Sequence, residues 1–130
     1  LATKMPTSSL AELSPDALAE LGVLLASTQQ AIERQLQPKR LYIGRFGHDP
    51  GWPIHFHFIP VYHWVEDLFW NDARYRQLET FAYAENALSA TDGAELTLFI
   101  WREFGENPTP SKTQGPSIDE VITRLRSAFT

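Results

Sequence analysis

The chain has 130 residues, of which 43% are hydrophobic and 12% aromatic. That length and composition suit one globular domain with a core of moderate size and exclude a disordered segment. The formal net charge of −5 excludes a broad basic surface for duplex nucleic acid, although a single nucleotide can still bind at a local site.

Cysteine is absent, which excludes disulfide bonds, thiolate metal ligands and a cysteine nucleophile. No apolar run is long enough to span a bilayer, and residues 1–10 lack the apolar stretch of a signal peptide. We therefore expect a cytoplasmic protein with no membrane partner. The chain opens on Leu1 rather than methionine, which is also compatible with a fragment or a processed form.

The first predicted element is a helix over residues 15–36. Ser14, Pro15 and Asp16 are typical of a helix N-cap, a first helical position and a first turn. Leucine and isoleucine residues follow at helical spacing, and Pro38 ends the segment.

Next, residues 40–46 and 53–62 are predicted as two strands, joined by the turn sequence GHDPG at residues 47–51. We expect these strands to form an antiparallel hairpin. The rest of the pattern predicts, in chain order, an aromatic connection at 61–70, a helix over 71–90, a turn at Asp92–Gly93, a strand over 94–104, a proline-rich loop at 105–116 and a helix opened by a capping box of Ser117 and Glu120. The predicted class is α+β with an antiparallel sheet, in a single domain over residues 1–130.

Two histidines lie in the second strand, whose sequence at residues 53–62 is PIHFHFIPVY. Side chains in a strand alternate between faces, so His55 and His57 project together, with Cβ atoms roughly 6–7 Å apart. A purely structural role would require a separate set of hydrogen-bond partners for each buried ring. Because clustered titratable groups are typical of functional sites, we interpret the pair as part of a site.

A metal site is one interpretation, because His-x-His on a strand is a common half-site for zinc or iron. His48, His63 and Glu66 are the nearby candidates for further ligands. The sequence contains no second ligand motif, and spacing alone does not complete the ligand set. We therefore expect neither a metal nor another cofactor.

Nucleophilic catalysis by a histidine is the interpretation that the sequence favours. A neutral imidazole can attack phosphorus and carry a nucleotidyl group as a covalent intermediate. Such a site requires a fixed tautomer of the attacking ring and donors for the phosphate oxygens. A second histidine on the same strand and the backbone N–H groups of a preceding glycine turn can supply those donors.

The segment RLYIGRFGHDPGWPIHFHFIP at residues 40–60 resembles the signature of the histidine triad (HIT) superfamily. The helix sequence at residues 10–36 resembles the helix that precedes this signature. The resemblance covers residues 1–62 and leaves residues 63–130 without a counterpart shared by the family. It implies a HIT-like fold and a homodimer.

With Ile59–Pro60 as the anchor of the match, the resemblance makes His55 the nucleophile that attacks a nucleotide α-phosphate. His57 then becomes the residue that binds and polarises the phosphate. The implied substrates are dinucleoside polyphosphates, nucleoside phosphoramidates or nucleotidylated adducts.

Three features depart from the family pattern. Pro53 stands in the place of the first histidine, the N-terminal hairpin is reduced to a remnant at residues 1–5, and the loop before the histidines is short. A rival register makes Ile59 the third position, which resembles the uridylyltransferase branch and moves the nucleophile to His57. The sequence Ile59–Pro60 favours the first register.

Five neighbouring residues complete the predicted site. Gly47 and Gly51 would offer backbone N–H groups to the phosphate. Arg45 can meet a phosphate or face solvent, His48 can reach the site or point to water, and Trp52 can stack on a base or cover the end of the hairpin.

The sequence thus predicts a HIT-like nucleotide hydrolase or nucleotidyl transferase. The alternative is a catalytically inactive nucleotide-binding or protein-interaction domain, and a metal-dependent hydrolase is the third interpretation. We expect a homodimer, because the strand predicted over residues 94–104 is apolar on both faces. A second subunit would cover that strand or the aromatic segment at residues 62–70.

Overall fold

The computed structural model describes residues 1–46, 52–76 and 93–129, apart from the side chains of Tyr75 and Arg76. Helices and a small two-stranded antiparallel sheet give the α+β composition that the sequence predicts. Within the described residues, no helix combines the length and the apolar character needed to cross a bilayer. The elements are a 3₁₀ helix at Leu10–Glu12, α1 at Pro15–Leu36, β1 at Arg40–Gly44, β2 at His57–Val61, α2 at His63–Asn71, α3 at Ala73–Arg76, α4 at Ala94–Ile100, a π-helical turn at Trp101–Glu106 and α5 at Ile118–Ser127.

The chain divides into two compact units. The first comprises Leu1–Pro60 together with Ser117–Thr130, and the second comprises Val61–Pro116. The histidine pair and the elements that position it belong to the first unit.

Helix α1 has the bounds that the sequence predicts. The Ser14 hydroxyl accepts a hydrogen bond from a backbone N–H of the first turn at 3.2 Å, and Pro15 lies where a helix requires no N–H donor. At the other end, Gln37 has a left-handed φ of 46° and its N–H donates to the carbonyl of Glu33. Local sequence signals therefore determine both ends of this helix.

The predicted hairpin is confirmed, because β1 and β2 are the two neighbouring strands of the antiparallel sheet. Both strands are shorter than the sequence pattern indicates, with β1 ending at Gly44 and β2 beginning at His57. The predicted turn at residues 47–51 lies outside the described residues.

The N-terminal residues pair with the segment just before β2. Ala2 and His55 form an antiparallel bridge. The N–H of Thr3 donates to the carbonyl of Ile54 at 3.1 Å, and the N–H of Phe56 donates to the Leu1 carbonyl at 2.7 Å. These bonds hold the histidine segment in extended conformation before the sheet begins.

Helix α5 packs against α1 within the first unit. The predicted capping box is present, since the Ser117 hydroxyl accepts from the Glu120 N–H and the Glu120 carboxylate accepts from the Ser117 N–H. The hydrogen bonds that the N–H and the hydroxyl of Ser117 donate to the Glu120 carboxylate lower the pKa of that carboxyl group.

In the second unit, the segment predicted as a strand over residues 94–104 is helical, so that prediction is wrong. Helix α4 continues directly into the π-helical turn. The buried residues Leu96, Phe99 and Glu103 are three and four positions apart, which follows one face of a helix rather than the alternation of a strand. Leu98 and Trp101 are exposed. The expected strand with two apolar faces, the main argument for a covering subunit, is therefore not formed by these residues.

The aromatic residues predicted as a connection at 61–70 belong mostly to α2, which packs against α4. The rings of Phe69 and Phe99 lie 5.7 Å apart in an edge-to-face arrangement. Trp64 and Phe104 make a second edge-to-face pair, also at 5.7 Å. These side chains therefore form part of the core of their own unit.

The side chain of Glu103 forms hydrogen bonds with the proline-rich loop that follows the π-helical turn. Its carboxylate accepts hydrogen bonds from the hydroxyl and the N–H of Ser111, at 2.7 and 2.9 Å, and from the side-chain amide of Asn107 at 3.1 Å. The Ser111 hydrogen bonds are the main reason that the pKa of Glu103 is lowered in spite of its burial.

Of the helix predicted over residues 71–90, the described part is α3. Asp72 precedes α3, and its carboxylate accepts from the N–H of Arg74 at 3.0 Å, as expected of a capping residue. The remainder of that prediction lies outside the described residues, as does Asp92 of the predicted turn. Gly93, the other turn residue, has a left-handed φ of 96° and precedes α4.

Candidate functional site

The imidazoles of His55 and His57 lie side by side, with ring centroids 4.9 Å apart and ring planes inclined at 69°. His57 is the first residue of β2, and the bridge to Ala2 holds His55 in extended backbone two positions earlier. Alternation along this backbone brings both rings to the same face. Both residues are half-buried, so each ring retains an accessible surface.

A backbone carbonyl holds the ring of His55. Its Nδ1 atom lies 3.1 Å from the carbonyl oxygen of Pro53. A carbonyl oxygen can only accept, so this hydrogen bond requires the proton to be on Nδ1. The neutral ring then carries its lone pair on Nε2, and the orientation of the ring is set by an atom of the main chain.

His57 is disposed to remain neutral. Burial lowers its pKa from the ordinary value of 6.5, and the neighbouring His55 and the amino group of Leu1 lower it further. A second positive charge beside His55 is therefore disfavoured. In the neutral form, His57 still has one ring N–H with which to donate a hydrogen bond.

Phe46 packs against His57. Its ring centroid lies 5.6 Å from that of His57, with the planes inclined at 50°. The Phe46 ring folds back over Gly44 so closely that a Cβ atom at Gly44 would lie 2.6 and 2.7 Å from two ring carbons. A glycine at the end of β1 therefore makes room for the aromatic ring that contacts His57.

Arg45 already has one partner in the first unit. Its guanidinium donates a hydrogen bond to the carbonyl of Ser8 at 3.0 Å, which ties the end of β1 to the N-terminal segment. The side chain is exposed, and a guanidinium has further N–H groups to offer. A phosphate contact by Arg45 stays a prediction, alongside this structural role.

Trp52 is 70% exposed, so it does not serve as a packed cover for the hairpin. An exposed indole so close in sequence to the pair is available for stacking on a base. The remaining predicted site residues, Gly47, His48 and Gly51, lie outside the described residues.

The candidate metal ligands are distributed over both units. His63 and Glu66 belong to α2 in the second unit, where His63 is exposed and Glu66 is buried. Within the part of the chain that the structure describes, no group of three or more histidine, aspartate or glutamate side chains is arranged to hold a metal ion. His48 is not among the described residues.

A groove of about 410 Å³ in the first unit lies on a different surface from the pair. It is lined by the N-terminal segment, the start of α1, Ile54 and Phe56. Ile54 and Phe56 alternate with His55 and His57 along the extended segment, so their side chains face the opposite way.

Three residues of the site could not be identified from residue type. Pro53 acts through its main-chain carbonyl, Phe46 through packing, and Gly44 through the space that it leaves. The one sequence signal for this arrangement is a glycine inside a predicted strand, two positions before an aromatic residue.

No protein-family model matches the chain, and neither a curated protein nor a solved structure is significantly similar to it. The residues and distances of the histidine pair are therefore the features that indicate a function.

Proposed function

We propose that the protein is a HIT-like nucleotide hydrolase or nucleotidyl transferase that attacks the α-phosphate of its substrate through His55. The observation that carries this proposal is the hydrogen bond of 3.1 Å between His55 Nδ1 and the Pro53 carbonyl. It keeps the proton on one ring nitrogen and leaves the lone pair on the other, which is the form an attacking imidazole requires.

The same hydrogen bond bears on the missing histidine at position 53. Pro53 offers no ring nitrogen, but its carbonyl does not depend on the side chain and still orients His55. The loss of the first triad histidine is therefore compatible with an oriented nucleophile. It also supports the register in which His55, rather than His57, attacks.

The proposed reaction has two steps. A bond forms between Nε2 of His55 and the α-phosphorus while the bond from phosphorus to the leaving group breaks. Water, or the acceptor of a transfer reaction, then displaces His55 and releases the nucleotidyl group. In the intermediate, the ring is positively charged, and the Pro53 carbonyl stabilises that charge by accepting from Nδ1–H.

His57 is proposed to hold the transferred phosphate. The lowered pKa of His57 makes it a neutral N–H donor to a phosphate oxygen in the free protein. Bound phosphate supplies a negative charge that favours protonation of the same ring. The backbone N–H groups of residues 47–51 and the side chains of Arg45 and Trp52 complete the proposed binding site.

The test is hydrolysis of a panel of dinucleoside polyphosphates and nucleoside phosphoramidates, with release of nucleoside monophosphate as the readout. We expect His55→Ala to lower the rate by about three orders of magnitude or more, because a covalent nucleophile is lost. His57→Ala should lower the rate of hydrolysis by a smaller factor, because the covalent intermediate on His55 can still form. His63→Ala is the matched control, since it removes an exposed histidine of the second unit.

Equal rates for His55→Ala and the parent protein would refute the proposal. A larger loss for His57→Ala would instead favour the rival register. Mass spectrometry of the parent protein mixed rapidly with substrate should detect a nucleotidyl group on the peptide that contains His55. Excess chelator should leave the rate unchanged, whereas one zinc per chain that is lost together with activity would favour metal-assisted hydrolysis.

A second candidate is an inactive domain that binds a nucleotide or another protein without turnover. The replacement of the first triad histidine by Pro53 is the observation that favours it. Calorimetric binding of a nucleotide by both the parent and His55→Ala, with no product from either, would identify this case.

The proposal also includes a homodimer. Residues 94–104 do not present a strand that a second subunit must cover, because that segment is helical and its buried face lies within its own unit. Sedimentation at high micromolar concentration should nevertheless give a mass that approaches twice the chain mass. A clean monomer would remove the homodimer from the proposal without affecting the chemistry at His55.

A further inference from the structure

Helix α5 carries an apolar stripe that faces solvent. Ile118, Ile122, Leu125 and Phe129 recur at the spacing of one helical face. Of these, Ile118 is 79% exposed, Ile122 is 40% exposed and Phe129 is 58% exposed, whereas Leu125 is half-buried. The packing of α5 against α1 therefore leaves most of the stripe uncovered.

Two opposite charges lie beside this stripe. Asp119 in the first turn and Arg126 in the last turn are seven residues apart, which is about two turns, so they share one flank of the helix. Glu120 points to the helix start, where it is bound in the capping box. The flank thus has an acidic group at one end and a basic group at the other.

Such a flank is complementary to itself when two copies run antiparallel. With a two-fold axis near Ile122 and Thr123, Asp119 of one copy faces Arg126 of the second copy. The apolar pairs Ile122–Leu125 and Ile118–Phe129 centre one residue further along, between Thr123 and Arg124. Charge pairing and apolar pairing therefore differ by a slide of about 3 Å between the two helices, which the long side chain of Arg126 can span.

We propose that α5 is a self-association surface, on which a second copy of this chain packs its own α5 in antiparallel orientation. The inference rests on the homodimer included in the proposed function and names its surface, and it is independent of the chemistry at His55. A lipid surface fits less well, because helices that bind anionic lipid carry a polar face rich in lysine and arginine. Helix α5 places acidic residues at its start and basic residues at its end.

A single short helix buries less than the roughly 800 Å² per partner of a standard interface, so the association should be weak. We expect a dissociation constant on the order of 1–100 µM. Sedimentation equilibrium of the whole chain, from low to high micromolar concentration, measures it.

The central experiment exchanges the two charges. Asp119→Arg and Arg126→Asp alone each place like charges opposite one another at two symmetry-related positions. Each should raise the dissociation constant about 5–30-fold. The double variant Asp119→Arg/Arg126→Asp restores opposite charges and should return the dissociation constant to within about threefold of the parent value.

Two matched controls separate interface effects from helix effects. Arg124→Asp introduces the same acid into the same last turn of α5 but on a different side, so it should leave the dissociation constant unchanged. For the apolar stripe, Ile118→Glu should abolish the dimer, whereas Val23→Glu on α1, where valine is 69% exposed, should not. Both substituted residues are exposed, so both variants should remain folded by circular dichroism.

A parent protein that stays monomeric at high micromolar concentration would overturn both the surface and the homodimer. A dimer that is insensitive to Ile118→Glu and to the single charge reversals would overturn the surface alone. If Arg124→Asp weakens the dimer as much as Arg126→Asp does, the effect belongs to helix stability and the proposed register is wrong. Hydrolysis by the parent and by His55→Ala should be the same in each of these backgrounds as in the original chain.

Discussion

Replacing Gly44 with alanine should disturb the histidine pair through the ring of Phe46. The new Cβ atom would lie 2.6 and 2.7 Å from two carbons of that ring, well inside van der Waals contact. The backbone of Gly44 is not in the left-handed region, so the alanine itself is accommodated and the ring must move. A displacement of about 1 Å or more restores ordinary contact distances of roughly 3.5–4.0 Å and takes the ring away from its position 5.6 Å from His57.

Two opposing energies determine the effect on stability. Alanine in place of glycine stabilises by about 0.4–1 kcal/mol, because the unfolded chain loses conformational freedom. Loss of an aromatic pair costs about 0.5–1.5 kcal/mol. Gly22→Ala is the matched control, because nothing lies within 4 Å of its new Cβ on the exposed surface of α1, and it gains the helix preference of alanine. The two variants should therefore differ by about 0.5–1.5 kcal/mol, with Gly44→Ala the less stable.

The assay combines chemical denaturation with an NMR titration of the histidine ring protons, assigned by single histidine substitutions. Because burial is the largest cause of the lowered pKa of His57, moving the Phe46 ring should raise that pKa towards 6.5 in Gly44→Ala but not in Gly22→Ala. Equal stability of the two variants together with an unchanged His57 pKa would refute the inference that Phe46 shields His57.

Three further predictions concern other described residues. The pKa of His57 is lower in the folded chain than in the unfolded chain, so the unfolded state binds more protons as the pH falls below 6.5. The free energy of unfolding should therefore fall as the pH falls from 6.5. Denaturation curves recorded across that range should show a smaller fall for His57→Gln than for the parent protein. Glu103→Ala should destabilise the protein by about 1–3 kcal/mol, because the Ser111 donors lose a charged acceptor; a loss below about 0.5 kcal/mol would show that water replaces the carboxylate at little cost. Long-range ¹⁵N NMR of His55 should report a proton on Nδ1 in the neutral ring, and a proton on Nε2 would contradict the hydrogen bond to the Pro53 carbonyl.

The elements predictable from sequence are those with local signals. Helix α1 begins and ends at the predicted residues. Ser14 accepts a hydrogen bond from an N–H of the first turn and Pro15 has no N–H to satisfy, and Gln37, directly before Pro38, ends the helix. The capping box of α5 is equally local, since both of its partners lie within one turn. The side-by-side placement of His55 and His57 follows from strand alternation alone.

The helix at residues 94–100 shows where local reasoning fails. Its apolar residues satisfy both a period of two and a helical period, so the pattern does not distinguish a strand from a helix. Packing against α2 decides in favour of the helix, because Leu96 and Phe99 are buried on the same side only with a helical period. The aromatic residues of α2 are placed by the same packing.

Tertiary structure also decided what surrounds the histidine pair. The residue types alone identified the two imidazoles as candidate site groups, because the chemistry of an imidazole does not depend on the fold. The contacts that tune them involve a main-chain carbonyl at Pro53, the space above Gly44 and a strand partner more than fifty residues away at Ala2. None of these depends on a recognisable side-chain type at a fixed spacing. They arise because the folded backbone brings distant atoms within hydrogen-bond or van der Waals distance, and a single sequence does not state which atoms those are.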